Sequence, residues 1–143
     1  MTENTEKKNP IRLLIGKVGL DGHTRGVYYV AHIFRDAGYE VIYPGLRQKP
    51  EQIVNTAIQE DVQAIGLSFL SGAHIPLTQE VLRLLKEKEA EDIPVFCGGV
   101  IPDDDIATLI NMGIKLVFTP GTSDKTIIEK VTALLAGDSH EGA

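Results

Sequence analysis

The chain has 143 residues, of which 43% are hydrophobic and 24% charged, as expected for one globular domain with a single core. Its formal net charge of −6 argues against nucleic-acid binding, which normally shows as a basic patch. No apolar run approaches the roughly 20 residues of a membrane span, residues 1–10 lack a signal-peptide core, and a single cysteine excludes an internal disulfide. We therefore expect a cytoplasmic protein with a flexible arm over 1–10, a domain over 11–137 and a disordered tail over 138–143.

Short apolar runs alternate along the chain with segments of helical period. The first run, 11–15, predicts a strand, and the glycines and charges that follow predict a loop at its carboxyl end. Four more strand-like runs come after it, each separated from the next by a helix-like segment. The predicted strands 2 to 5 occupy 40–43, 64–69, 94–97 and 115–118.

Apolar stripes and end signals predict the five helices. Gly38 ends helix 1, and Pro50 begins helix 2 because proline suits the first turn of a helix. Helix 3 is predicted over 78–88, the acidic run 103–105 caps helix 4, and Ser123 caps helix 5. The buried stripes are Val27, Val30, Ala31 and Phe34; Ile53, Val54, Ala57 and Ile58; Val81, Leu82, Leu84 and Leu85; Ile106, Leu109 and Ile110; and Ile127, Ile128, Val131, Leu134 and Leu135.

Five strand–helix pairs predict an α/β fold with a parallel sheet covered on both faces. At this size we expect a flavodoxin-like (Rossmann-like), doubly wound five-stranded sheet in the order 2-1-3-4-5. The loops after strands 1 and 3 then flank one crevice, at the edge where such sheets bind ligands. A turn at Gly98-Gly99 and the segment 119–122 extend the crevice into a slot that suits a flat heteroaromatic group.

The loop after strand 1 holds an acid and a histidine two residues apart. A bend at Gly22 would turn the carboxylate of Asp21 onto one ring nitrogen of His23 and leave the other nitrogen free to bind a metal. Lys17 is either a moderator of the Asp21 charge or a solvated lysine. An acid near a histidine is also common in solvated turns, so spacing alone leaves the metal site and the plain turn both open.

Three motifs follow one another along the chain: Asp21-x-His23-x-x-Gly26, then Ser68-Phe69-Leu70, then Gly98-Gly99. Together they resemble the cobalamin-binding domain of the methylmalonyl-CoA mutase family, and the similarity runs from about residue 11 to 135. It extends to Lys17, Leu20-Asp21-Gly22-His23, Ser71-Gly72-Ala73-His74, Gly98-Gly99-Val100-Ile101-Pro102 and Phe118-Thr119-Pro120-Gly121-Thr122.

The resemblance implies a cofactor, adenosylcobalamin, whose benzimidazole base has left the cobalt and lies in the slot. It makes His23 the lower axial ligand of cobalt, with Asp21 as its hydrogen-bond partner and Lys17 behind, and it places Ser68 against the nitrogen of the displaced base. The cofactor-binding residues that it implies are Asp21, Gly22, His23, Thr24, Arg25, Gly26, Ser68, Leu70, Ser71, Gly98, Gly99, Phe118, Thr119, Pro120, Gly121 and Thr122.

The function that the resemblance implies is that of one subunit of an acyl-CoA mutase, an isomerase that rearranges a carbon skeleton by radical chemistry. Since 143 residues leave no room for a substrate barrel, we expect a large barrel-type subunit that binds the acyl-CoA in a hetero-oligomer, and no catalytic residue on this chain alone. Thr24 and the segment 70–74 depart from some members, which leaves both methylmalonyl-CoA and 2-hydroxyisobutyryl-CoA as substrates.

Two other functions share the predicted fold. A cobalamin carrier or sensor would bind the cofactor without a mutase partner. A receiver-like signalling domain would need a phosphoacceptor aspartate at the end of strand 3, where this chain has Ser68-Phe69-Leu70.

Several residues outside the motifs receive structural interpretations. We expect Cys97 to be a small buried residue of strand 4, His32 to lie on a helix surface and His74 to cap helix 3 or to be exposed. The run 103–105 is better explained by capping and the helix dipole than by a cation site.

Overall fold

Five parallel strands form one sheet in a computed structural model that describes residues 11–17, 25–45, 48–69 and 74–136. The order is β2-β1-β3-β4-β5, which confirms the predicted order 2-1-3-4-5. The outer strands β2 and β5 are only three residues long, which limits the unpaired backbone at the edges. The strands are β1 Arg12–Lys17, β2 Glu40–Ile42, β3 Ala64–Phe69, β4 Val95–Gly99 and β5 Leu116–Phe118.

Helices cover both faces of the sheet. Alternate residues of a strand point to opposite faces, so Leu13 and Ile15 pack in the cluster that contains residues of α1 and α5, whereas Leu14 packs with residues of α2, α3 and α4. None of the described helices combines the length and the apolar character needed to span a membrane. The helices are α1 Arg25–Asp36, α2 Pro50–Gln59, α3 His74–Glu87, α4 Asp103–Met112 and α5 Asp124–Leu135.

Two predicted boundaries were wrong. Helix α3 begins at His74 rather than at residue 78, because Pro76 falls in the first turn, where proline removes no helical hydrogen bond. Strand β4 continues through Gly98 and Gly99, which the sequence had suggested to be a turn, and the two glycines pair in register with Ser68 and Phe69 of β3.

The helix caps agree with the sequence in one case and differ in another. Ser123 caps α5 as predicted, because its Oγ accepts a hydrogen bond from the Thr126 backbone N–H at 3.1 Å. The cap residue of α4 is Pro102, and its side chain accepts no hydrogen bond. The acidic run 103–105 therefore fills the first turn of α4, where negative charge is stabilised by the helix dipole.

Two residues of the predicted apolar stripes are exposed. Ile58 is 41% exposed and Ile110 is 44% exposed. Each directly follows a fully buried residue, Ala57 or Leu109, and the turn of about 100° per residue carries it past the edge of the buried face. The other stripe residues are buried or half-buried.

Cys97 is buried in β4, as predicted, and should be chemically inert in the folded protein. Burial raises the pKa of its thiol to about 12, against a smaller opposing effect of the nearby Thr78 hydroxyl. At pH 8 the thiolate fraction is then on the order of 10⁻⁴, compared with about a quarter for an ordinary cysteine. We expect iodoacetamide to label the native chain at least about 100-fold more slowly than the urea-unfolded chain, as measured by mass spectrometry. Equal rates would contradict the burial of Cys97.

Candidate functional site

A cleft of about 220 Å³ opens between the sheet and the helices α1 and α5. Its floor consists of strand residues near the carboxyl ends of β1, β3, β4 and β5, and its walls come from α1, α5 and the segment between β5 and α5. The lining residues are Ile15, Tyr29, Val30, Gly66, Leu67, Ser68, Phe96, Gly98, Gly99, Phe118, Thr119, Pro120, Gly121, Thr122 and Ile127. The structure thus places the predicted residues of β3, β4 and 118–122 around one cavity.

The cleft is mostly apolar, with few polar groups. Phe96 and Phe118 meet edge to face on its floor, with ring centroids 6.1 Å apart. The hydroxyl of Thr122 donates to the backbone carbonyl of Thr119 at 2.8 Å and so stabilises the turn. The half-buried Ser68 hydroxyl has no hydrogen-bond partner among the described residues. Ser68 is therefore one of the lining side chains that could orient a polar atom of a flat ligand.

Gly66 keeps the floor of the cleft flat. A Cβ at this position would lie 2.7 Å from two ring atoms of Phe96 and 2.9 Å from Cδ1 of Ile15. Since real side chains do not approach so closely, any larger residue would displace the ring that forms the floor. Gly66 was not among the predicted site residues, although a glycine inside a strand is a recognised sign of close approach by another group.

Lys17 is the last residue of β1 and is only 3% exposed, so the interpretation of a solvated loop lysine was wrong. Its backbone is in register with that of Ser68 on the neighbouring strand. By the alternation of the strand it shares the face of Leu13 and Ile15, which is the face that carries the cleft. A buried lysine at this edge requires polar or charged neighbours, and Lys17 does have a partner in the structure.

The remaining predicted site residues fall largely outside the described part of the chain. Asp21, Gly22, His23, Thr24, Leu70 and Ser71 lie outside the described residues, and Arg25 and Gly26 form the start of α1. Strands β1 and β3, which precede these residues in the chain, contribute lining residues to the cleft. The roles of these residues stay predictions.

The family model of the B12 binding domain matches residues 11–127. The chain belongs to the B12-binding domain family. This match confirms the resemblance inferred from the three motifs and supports cobalamin as the cofactor.

The B12-binding chain is similar to proteins of two different sizes. The 2-hydroxyisobutanoyl-CoA mutase small subunit of Aquincola tertiaricarbonis is 47% identical over 129 residues, which cover 90% of this chain and 95% of that subunit. The ethylmalonyl-CoA mutase of Methylorubrum extorquens is 46% identical over 109 residues, which are 76% of this chain but 16% of that mutase. The human mitochondrial methylmalonyl-CoA mutase is 41% identical over 111 residues, 78% of this chain and 15% of that mutase.

Solved structures support the fold. A cobalamin-binding protein of Desulfitobacterium hafniense superposes with a TM-score of 0.72 at 20% identity, over 85% of this chain and 58% of that chain. The receiver domain of NarL from Mycobacterium tuberculosis gives 0.68 at 12% identity, over 90% of this chain and 98% of that chain. Such low identities establish the flavodoxin-like architecture alone. Strand β3 ends in Ser68-Phe69, which offers no phosphoacceptor aspartate.

The lining of the cleft fits one part of cobalamin. Its volume of about 220 Å³ is below the roughly 300–1,000 Å³ of pockets that enclose a whole drug-sized ligand. Its flat, mostly apolar floor and its few polar groups suit a flat base. The much larger corrin ring would have to lie outside the described cavity.

Proposed function

We propose that this chain is the cobalamin-binding small subunit of an adenosylcobalamin-dependent acyl-CoA mutase. The observation that carries the proposal is its 47% identity to a mutase small subunit over nearly the full length of both chains. The cleft supports it, because it offers a flat apolar slot at the sheet edge where the proposed cobalt ligand would follow β1.

In this function the chain binds and orients the cofactor. Ser68 would donate a hydrogen bond to the free nitrogen of the base in the cleft, and Nε2 of His23 would bind the cobalt. Asp21 would accept a hydrogen bond from Nδ1 of His23, which fixes the tautomer of the ring, and Lys17 would compensate the carboxylate charge. When bound, adenosylcobalamin supplies the cobalt–carbon bond whose cleavage starts radical rearrangement.

The substrate half of the enzyme would belong to a larger partner. The mutases that match this chain over 15–16% of their length devote most of their residues to other parts, and a separate large, barrel-type subunit would supply those parts here. Cobalamin would then lie at the subunit interface of a hetero-oligomer. Similarity to a small subunit of nearly equal length favours 2-hydroxyisobutyryl-CoA as the substrate over methylmalonyl-CoA.

The proposal predicts activity only from two subunits together. We expect the chain, mixed with the large mutase subunit that co-purifies with it and with adenosylcobalamin, to isomerise 2-hydroxyisobutyryl-CoA, and either subunit alone to be inactive. The assay follows the acyl-CoA isomers by liquid chromatography, with methylmalonyl-CoA and ethylmalonyl-CoA as competing substrates. Cobalamin uptake without a mutase partner would favour a carrier, and no uptake at all would refute the proposal.

A further inference from the structure

Tyr29 joins the two helices that cover the cleft. It lies on α1, contributes to the cleft wall and is 52% exposed, so it borders both the cavity and solvent. Its hydroxyl donates a hydrogen bond to the carboxylate of Asp124, the first residue of α5. This hydrogen bond raises the pKa of Tyr29 above its usual value of 10, so the hydroxyl stays a donor throughout the neutral range.

A second hydrogen bond joins α5 to the segment that follows α1, away from the cleft. The hydroxyl of Tyr39, just after α1, lies 2.5 Å from Oγ1 of Thr132 on α5. Thr132 comes eight residues after Asp124, which is about 12 Å along a helix. Neither Tyr39 nor Thr132 lines the cleft. This pair therefore offers a matched internal control for the Tyr29–Asp124 pair.

We infer that Tyr29 and Asp124 form a clasp across the mouth of the cleft that retains the base of the bound cofactor. The inference rests on the proposed cobalamin binding. On this inference a flat group between the sheet and the two helices leaves past the Tyr29 ring, which lines the cleft and which the hydrogen bond to Asp124 holds in place. Loss of the hydrogen bond frees the ring to rotate and the amino-terminal end of α5 to separate from α1. The clasp thus slows dissociation and acts only on corrinoids that carry a base.

The test compares dissociation rates of two corrinoids from the full-length chain. Hydroxocobalamin carries the base, and aquocobinamide lacks it. Each complex is chased with excess apo-protein that carries a distinguishable tag, and transfer is measured by absorbance after separation. We expect Tyr29→Phe and Asp124→Ala to release hydroxocobalamin about 3–10-fold faster, the range for loss of one partly exposed hydrogen bond to a charged group. The double variant should be no faster than the single variants.

The controls separate the clasp from a general loosening of the helices. Tyr39→Phe and Thr132→Val should leave hydroxocobalamin release within about 2-fold of the original rate, a change too small for one lost hydrogen bond at the cleft. Release of aquocobinamide should be unchanged in every variant. Circular dichroism checks that each variant is folded, and Tyr29→Phe keeps the ring.

Three outcomes would overturn the clasp. They are unchanged hydroxocobalamin release from Tyr29→Phe, equal acceleration by Thr132→Val, and equal acceleration of aquocobinamide release. Each of them leaves the proposed cobalamin binding intact, because the unmodified chain still takes up the corrinoid. If the unmodified chain binds neither corrinoid, the proposed function fails and the clasp fails with it.

Discussion

Gly99→Ala should lower the free energy of unfolding by about 2–6 kcal/mol, from left-handed backbone strain and from steric overlap together. Gly99 has φ +135°, a conformation that side chains rarely adopt, and a Cβ there would lie 1.8 Å from the carbonyl oxygen of Phe69. The obstacle is backbone, which cannot rotate away as a side chain could. Phe69 and Gly99 are also register partners in the ladder between β3 and β4, so any shift would disturb the centre of the sheet.

The neighbouring glycine supplies the control. A Cβ on Gly98 would meet the carbonyl oxygen of Phe118 at 3.6 Å and its Cβ at 3.8 Å, both ordinary contacts. Gly98→Ala should therefore change stability by less than about 1 kcal/mol, and should weaken cofactor binding instead because the methyl group enters the cleft. Urea denaturation followed by circular dichroism measures the stability of both variants. Equal losses in the two variants would contradict the strain at Gly99.

The strand order was predictable because each strand is a short apolar run and each connection is a helix. Connections of this kind produce parallel neighbours, and right-handed crossovers leave few arrangements of five strands. The end of β4 was not predictable in the same way. A pair of glycines usually indicates a turn, whereas Gly98 and Gly99 stay in the ladder beside Ser68 and Phe69. The need for close approach to the Phe69 carbonyl appears only when β3 and β4 are placed side by side.

The residues of the cleft were also predictable only in part. Ser68, Gly98 and the segment 118–122 could be assigned to one crevice, because the carboxyl ends of parallel strands meet at one edge of the sheet. The residues that α1 contributes to the cleft could not be assigned from the sequence, because they depend on how the helix is rotated about its axis. Tyr28 and Tyr29 are adjacent and almost equally exposed, at 53% and 52%, yet only Tyr29 lines the cleft. No periodicity in the sequence distinguishes these two tyrosines.

His23→Ala is expected to abolish coordination of cobalt by the protein and to lower mutase turnover by at least about 100-fold. Removal of a residue that only hydrogen-bonds a metal ligand already lowers metal affinity or activity by about 10–100-fold. The physical reason is that alanine has no side-chain nitrogen that could bind the metal. The measurement is electron paramagnetic resonance of the cob(II)alamin complex, prepared with protein whose histidine nitrogens carry ¹⁵N. The original chain should show coupling to a ¹⁵N nucleus, and the variant should show none.

His32→Gln provides the matched histidine control. His32 lies on α1 with its side chain 69% exposed and pairs with the carboxylate of Asp36 at 3.2 Å, one helical turn away. Its loss removes a labelled histidine without touching the cleft, so the ¹⁵N coupling and the turnover should both persist. Coupling to the unlabelled nitrogen of the cofactor's own base in the original chain would show that the base remains on cobalt. His23 would then be no ligand, and the cleft between the sheet, α1 and α5 would need another occupant.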